Sequence, residues 1–117
     1  MTNITRIDPG PRMTGAVVHG NTVYLSGQVA LDAGGESVTV QTQNILGRID
    51  ALLAKAGTDK SKLVSASIWL SDIATFTEFN AVWDAWVDAS ATPARATVEA
   101  KLAAPQFTVE IAVIAAL

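Results

Sequence analysis

Hydrophobic residues recur along this chain at two spacings, one typical of helices and one typical of strands. An apolar stripe at 3.6-residue spacing between Ile45 and Ala56 predicts a helix over residues 39–56, which Gly57 would end. A second stripe predicts a helix over residues 76–89. Its apolar residues are Phe79, Trp83, Trp86 and Val87, which we expect to be core. Thr75 and Glu78 have the spacing of a capping box at its start.

Runs with period-2 alternation predict strands around these helices. Residues 4–7, 16–19 and 22–26 are rich in apolar and β-branched side chains. Gly20-Asn21 separates the second run from the third and is a two-residue turn that favours a hairpin. His19 lies at that turn, where we expect it to be solvated. Residues 62–71 alternate between an apolar face and a face of small residues, which predicts a further strand.

Two more strands are predicted near the C-terminus, and both carry unexpected charges. Alternation along residues 94–101 places small apolar residues on one face, which we expect to be core, and Arg95 and Thr97 on the other. Residues 107–116 are apolar on both faces except at Thr108 and Glu110, as expected of a central strand. We therefore treat Arg95 and Glu110 as candidate functional residues.

The order of these elements predicts an α+β fold. It consists of a single mixed β-sheet of about six strands with two helices packed on one face. The other face of such a sheet must be covered by further protein surface. With 117 residues, we expect one domain over residues 1–117. A composition that is 50% hydrophobic and 16% charged indicates that other subunits cover some apolar surface.

Composition excludes several classes of function. A net charge of −3 with 8 Lys+Arg provides no basic footprint for nucleic acid or an anionic membrane. Because the chain has no cysteine and one histidine, thiolate nucleophiles, cysteine zinc sites and histidine metal clusters are excluded. No cofactor motif is present, so we expect neither cofactor nor metal. The absence of a signal-peptide pattern and of an apolar run near 20 residues favours a cytoplasmic protein.

Residue chemistry alone leaves two interpretations of Arg95 and Glu110. Arginine suits a planar carboxylate because its guanidinium offers two parallel donors and stays charged. A nearby glutamate can position or deprotonate water, which is what hydrolysis of an electrophilic C=N bond requires. An ion pair or polar link across a subunit interface accounts for both residues equally well. Ser26, which precedes Gly27, is either a plain strand-end serine or a ligand contact.

The spacing of these residues resembles that of a known family. Pro93-Ala94-Arg95-Ala96-Thr97-Val98 is followed by Val109-Glu110-Ile111, with Glu110 placed 15 residues after Arg95. This pattern resembles the C-terminal signature of the RidA/YjgF family of small trimeric proteins, in particular its YoaB-like subgroup. Ser26-Gly27-Gln28 and Phe79-Asn80 extend the resemblance over nearly the whole chain.

The resemblance implies a chorismate-mutase-like homotrimer with ligand clefts between neighbouring subunits. It also implies hydrolysis of reactive enamines and imines, such as 2-aminoacrylate, to 2-oxo acids and ammonia. Arg95 would then bind the substrate carboxylate with help from Ser26, and Glu110 would activate water. Asn80 stands at the position of a site asparagine in the family. The competing hypothesis is a non-catalytic trimer that binds small carboxylates, or another protein, through the same cleft.

Two residues depart from the family pattern. Met13 stands where many members carry an aromatic residue that closes over the ligand, and Thr97 stands where the best-known members have cysteine. Methionine is more adaptable than an aromatic ring. We therefore expect a substrate preference that differs from 2-aminoacrylate.

Overall fold

A computed structural model describes residues 3–117, which form seven strands and two helices. The strands are Ile4–Pro9 (β1), Thr14–His19 (β2), Thr22–Leu25 (β3), Gln28–Val29 (β4), Leu63–Leu70 (β5), Ala94–Glu99 (β6) and Val109–Ala116 (β7). The helices are Val38–Lys55 (α1) and Phe76–Trp86 (α2). Within the described residues, neither helix is long and apolar enough to span a membrane.

The strands form one mixed sheet in the order β1-β2-β3-β7-β5-β6, and the short β4 also pairs with β7. Only β5 and β6 run parallel, because α2 connects them as a crossover. The side chains of both helices join those of the sheet in one hydrophobic core. The α+β prediction of a single mixed sheet with two helices is therefore confirmed.

The predicted hairpin and first helix are also confirmed. β2 pairs with β3 through Gly20-Asn21, and Gly20 has a positive φ of 62° that favours glycine. Helix α1 begins after Ser37, whose Oγ accepts a hydrogen bond of 3.2 Å from the Val40 N–H. It ends before Gly57, whose φ is 85°.

The predicted capping box at the start of α2 is wrong. Thr75 has φ −86° and ψ 7°, so it already belongs to a 3₁₀ turn and its side chain caps nothing. Its hydroxyl donates instead to the Asp72 carbonyl oxygen over 2.6 Å. Glu78 accepts hydrogen bonds of 2.9 Å from the Thr39 N–H and hydroxyl, and therefore caps α1 from the neighbouring helix. Helix α2 ends at Trp86, earlier than predicted.

The prediction of which face of β6 is core is wrong as well. Arg95 and Thr97 pair with the buried Ala66 and Ile68, so their side chains point toward the helices. The small residues of β6 lie on the opposite face, where Val98 is 50% exposed. Alternation distinguishes two faces of a strand, but packing decides which one is covered. We call the sheet face without helices the open face, on which Tyr24 is 45% exposed.

Candidate functional site

Arg95 lies on the edge strand β6 with its guanidinium against the aromatic side chains of α2. Its Cζ atom is 5.7, 5.8 and 5.5 Å from the ring centroids of Phe76, Phe79 and Trp83, respectively. These distances are typical of cation–π contacts, which hold a guanidinium in a fixed plane. The two ion pairs within residues 3–117, Arg48–Asp32 and Lys55–Asp8, do not involve Arg95. Its charge is therefore available to an anion.

A hydrogen-bonded turn leads into this strand. The hydroxyl and N–H of Ser90 donate to the Asp88 Oδ1 atom over 2.7 and 3.0 Å. The Ser90 hydroxyl, followed by its N–H, stabilises the charged form and holds the pKa of the Asp88 carboxyl below its usual value. The turn ends three residues before β6, which begins at Ala94.

Asn80 and Thr97 carry unpaired polar atoms beside Arg95. Asn80 is four residues after Phe76 and three before Trp83, so it lies on the ring-bearing side of α2. Thr97 follows Arg95 by two residues on the same face of β6. Asn80 Oδ1 and Thr97 Oγ1 are shielded from solvent and have no hydrogen-bond partner within residues 3–117. We call Asn80, Arg95 and Thr97 the helix-side group.

Glu110 lies on the other face of the same sheet. It pairs with Trp69 on β5, whereas Arg95 pairs with Ala66. Because Ala66 and Trp69 are three positions apart, an odd number, their pairing partners point to opposite faces. A single chain therefore does not bring Arg95 and Glu110 together.

The Glu110 carboxylate rests directly against Gly27. A Cβ atom at Gly27 would lie 2.2 Å from Glu110 Oε2 and 3.1 Å from its Cδ. Only glycine allows this approach, since the hydrogen on its Cα leaves space for the carboxylate. Neither of the two ion pairs within residues 3–117 includes Glu110, so its carboxylate has no cationic partner there.

Ser26 is fixed next to Gly27 by backbone and side-chain hydrogen bonds. Its N–H and hydroxyl both donate to the Gly15 carbonyl oxygen, over 3.0 and 3.2 Å. The Gln28 side-chain amide donates to the Ser26 carbonyl oxygen over 3.1 Å and to its Oγ over 3.2 Å. We call Gly27 and Glu110 the open-face group; the Ser26 hydroxyl contacts the side chain of Gln28, which pairs with the buried Ile111. Met13 is 59% exposed, two residues before Gly15, and does not join the helix-side group.

Sequence reasoning did not identify Phe76 or Gly27 as parts of these groups. Phe76 was visible only through its spacing, since it precedes Asn80 by four residues on one helix face. The contact of Gly27 with Glu110 has no local signal, because it joins segments that are distant in sequence. Trp83, expected to be core, is 4% exposed and also contacts the Arg95 guanidinium. Within residues 3–117, no cluster of three or more metal-ligating side chains is present.

Comparison with known proteins gives relatives that match almost the whole chain. A RutC family protein of Haemophilus influenzae is 45% identical over 112 residues, covering 96% of this chain and 97% of the relative. The RutC family protein YoaB of Escherichia coli K12 is 44% identical over 115 residues, covering 97% of this chain and 98% of the relative.

Solved structures give the same result. The crystal structure of a YjgF family member from Neisseria meningitidis is similar with a TM-score of 0.94 and 43% identity, covering 97% of this chain and 94% of that one. The family profile described as Endoribonuclease L-PSP matches residues 4–117. The chain therefore belongs to the RidA/YjgF family, which that profile describes.

Proposed function

We propose that this protein hydrolyses reactive 2-imino acids and their enamine tautomers to 2-oxo acids and ammonia. The observation that carries the proposal is the Arg95 guanidinium, which is held on three aromatic rings and has no carboxylate partner within residues 3–117. Membership of the RidA/YjgF family supports a function of this kind.

Arg95 binds the substrate carboxylate. The rings fix the guanidinium plane in advance, so little side-chain entropy is lost when two parallel N–H groups meet the carboxylate oxygens. Asn80 and Thr97 place unpaired polar atoms next to this charge. A small shift on binding lets them satisfy the remaining donors of the guanidinium or the ligand, which removes the cost of leaving them unpaired.

Glu110 acts as general base and then as general acid. Its carboxylate takes a proton from water while the water oxygen forms a bond to the carbon of the C=N group. The imine nitrogen takes up a proton from solvent, which gives a tetrahedral carbinolamine. Glu110 then returns its proton to the amine, the C–N bond breaks and ammonia leaves, while the C=O bond forms and the hydroxyl proton passes to solvent. The sum is one imine and one water converted to one 2-oxo acid and one ammonia.

Both residues reach one substrate only if neighbouring subunits share the site. Because Arg95 and Glu110 point to opposite faces of one sheet, the helix-side group of one subunit must meet the open-face group of the next. We propose a homotrimer with such clefts between its subunits. Two features support it: β6 is an edge strand, which keeps Arg95 near the sheet boundary, and the open face exposes apolar side chains such as Val98.

The test measures the decay of imino acids that an amino-acid oxidase generates in situ. We expect wild type to accelerate the decay, and Arg95→Ala to abolish both acceleration and binding of 2-oxo acids. Glu110→Gln is nearly isosteric, so it should reduce turnover by about 10²- to 10⁴-fold and retain binding. A correctly assembled wild-type protein that accelerates the decay of no imine overturns the proposal.

The alternative is a protein that binds small carboxylates without turning them over. One observation favours it: all three residues of the helix-side group belong to one chain, and the Arg95 guanidinium has no carboxylate partner within residues 3–117. Under this alternative, wild type and Glu110→Gln bind 2-oxo acids equally well, and neither one accelerates imine decay.

A further inference from the structure

One buried side-chain amide on helix α1 joins three other points of the chain. Gln41 is 0% exposed and stands among the buried residues of α1. Its Nε2 atom donates to the carbonyl oxygens of Glu36 and Gln106 over 3.0 and 2.9 Å. Its Oε1 atom accepts from the Thr108 N–H over 3.0 Å. A buried amide is costly without partners, so these bonds account for a glutamine at a position that would otherwise suit an apolar residue.

Gln41 fixes the end of residues 104–108, which lead into β7. Thr108 immediately precedes β7 and is two residues before Glu110. On the other side, β4 ends at Val29, whose partner on β7 is Glu110. The bond from Gln41 to Thr108 therefore holds β7 on the N-terminal side of Glu110, which β4 does not reach.

The same amide also holds the segment that follows Gly27. β4 begins directly after Gly27, and the chain then continues to Glu36, whose carbonyl oxygen accepts from Gln41. The Gly35 N–H donates to the Gln106 carbonyl oxygen over 2.9 Å, so the two segments are also bonded to each other. Both residues of the open-face group thus belong to parts of the chain that Gln41 ties together.

We propose that Gln41 is a positioning residue for Glu110. It acts through the backbone of Thr108 and keeps the Glu110 carboxylate in its place against Gly27. The proposal rests on the function proposed above, since it takes Glu110 to be the general base.

Loss of the Gln41 amide should affect the chemical step and not the binding of substrate. The Thr108 N–H would lose its partner, the start of β7 would loosen, and the Glu110 carboxylate would shift relative to the water that it activates. A shift on the order of 1 Å is enough to reduce a rate by up to about 10²-fold. None of the three bonds of Gln41 reaches β6, so the grip of Arg95 on the substrate carboxylate should persist.

The test compares Gln41→Met with Thr42→Val. Methionine has a length similar to that of glutamine and makes none of the three hydrogen bonds. Thr42 is also 0% exposed, and its hydroxyl donates to the Val38 carbonyl oxygen over 2.7 Å, within α1. Thr42→Val is therefore the matched loss of a buried hydrogen bond that does not reach β7. We expect Gln41→Met to lower kcat for imine hydrolysis by about tenfold, with KM and the affinity for 2-oxo acids within about twofold of wild type. Thr42→Val should leave all three unchanged.

A second measurement follows Glu110 without turnover. The NMR resonance of its carboxyl carbon is assigned by its absence in Glu110→Gln. This resonance should move in Gln41→Met and remain in place in Thr42→Val. If Gln41→Met does not fold, Gln41→Asn, whose amide is one methylene closer to the helix, takes its place with the same expected result.

The outcomes separate the two proposals. A lower kcat at unchanged affinity, together with a displaced Glu110 resonance in the Gln41 variant alone, supports the positioning role. Imine hydrolysis with an unchanged kcat and an unmoved resonance in that variant overturns the positioning role and leaves the proposed function intact. An equal loss of kcat in Thr42→Val also overturns it, because general destabilisation then explains the effect. A displaced resonance in a protein whose wild type hydrolyses no imine overturns the proposed function alone.

Discussion

The proposed sharing of the site between subunits makes a prediction about mixtures of two inactive variants. Arg95→Ala keeps Glu110, and Glu110→Gln keeps Arg95. If Arg95 of one subunit acts with Glu110 of the next, a mixed trimer contains a cleft in which both native residues meet. Co-assembly of the two variants should therefore restore imine hydrolysis that neither variant has alone.

The magnitude follows from the proposed threefold arrangement. A cleft is active only where a Glu110→Gln subunit supplies Arg95 to an Arg95→Ala subunit that supplies Glu110. Every mixed trimer, whether 2:1 or 1:2, contains one such cleft, so purified mixed trimers should have about one third of wild-type activity. Random 1:1 assembly without purification should give about one quarter of wild-type activity, because about three quarters of the trimers are then mixed.

The assay uses the two variants co-expressed with different affinity tags and isolated through both tags. As a control, wild type is co-assembled 1:1 with a chain that carries both substitutions. A shared site predicts about one quarter of wild-type activity for this mixture, whereas a site within one chain predicts about one half. Mixed trimers of the single variants without activity, together with half activity in the control, would refute the shared site.

Two further predictions concern single contacts. Gly27→Ala places a Cβ atom 2.2 Å from Glu110 Oε2 and displaces the carboxylate, so we expect kcat to fall by about tenfold or more at unchanged fold. Gly47→Ala is the control, because its Cβ meets no atom within 4 Å, and unchanged kcat in both variants contradicts the role of the contact. Glu78→Ala removes the cap of α1 and should lower the free energy of unfolding by about 1 kcal/mol in urea titrations. Asp84→Ala, an exposed carboxylate six residues after Glu78 in α2, is the control, and equal unfolding midpoints for the two variants contradict the cap.

Local signals allowed the sequence to predict most of the fold. Gly20-Asn21 indicates its hairpin because the turn needs positive φ, and Gly57 ends α1 for the same reason. The capping box at Thr75 failed because a second candidate partner for Glu78 was 39 residues away at Thr39. Packing of α1 against α2, which no short sequence pattern encodes, determines that Glu78 bonds to Thr39 rather than to Thr75.

The orientation of β6 was unpredictable for a similar reason. Small apolar residues alternate with Arg95 and Thr97, and this pattern fits a core on either side. Arginine can bury its aliphatic part while its charged end contacts aromatic rings. The side chains of Arg95 and Thr97 therefore lie on the helix side of β6. The relative faces of Arg95 and Glu110 depend on the conformation of residues 100–108, to which alternation does not apply.

The opposite orientations of Arg95 and Glu110 exclude an ion pair within one chain, because the sheet separates the two side chains. The ion pair between subunits that the sequence left open is distinguishable from a functional site by its effect on assembly. Removing one partner of a buried pair costs about 3–5 kcal/mol, so under this interpretation Arg95→Ala and Glu110→Gln would both shift the proposed trimer towards dissociation. A site that is open to substrate predicts trimers of unchanged mass for both variants, since neither side chain then holds the subunits together.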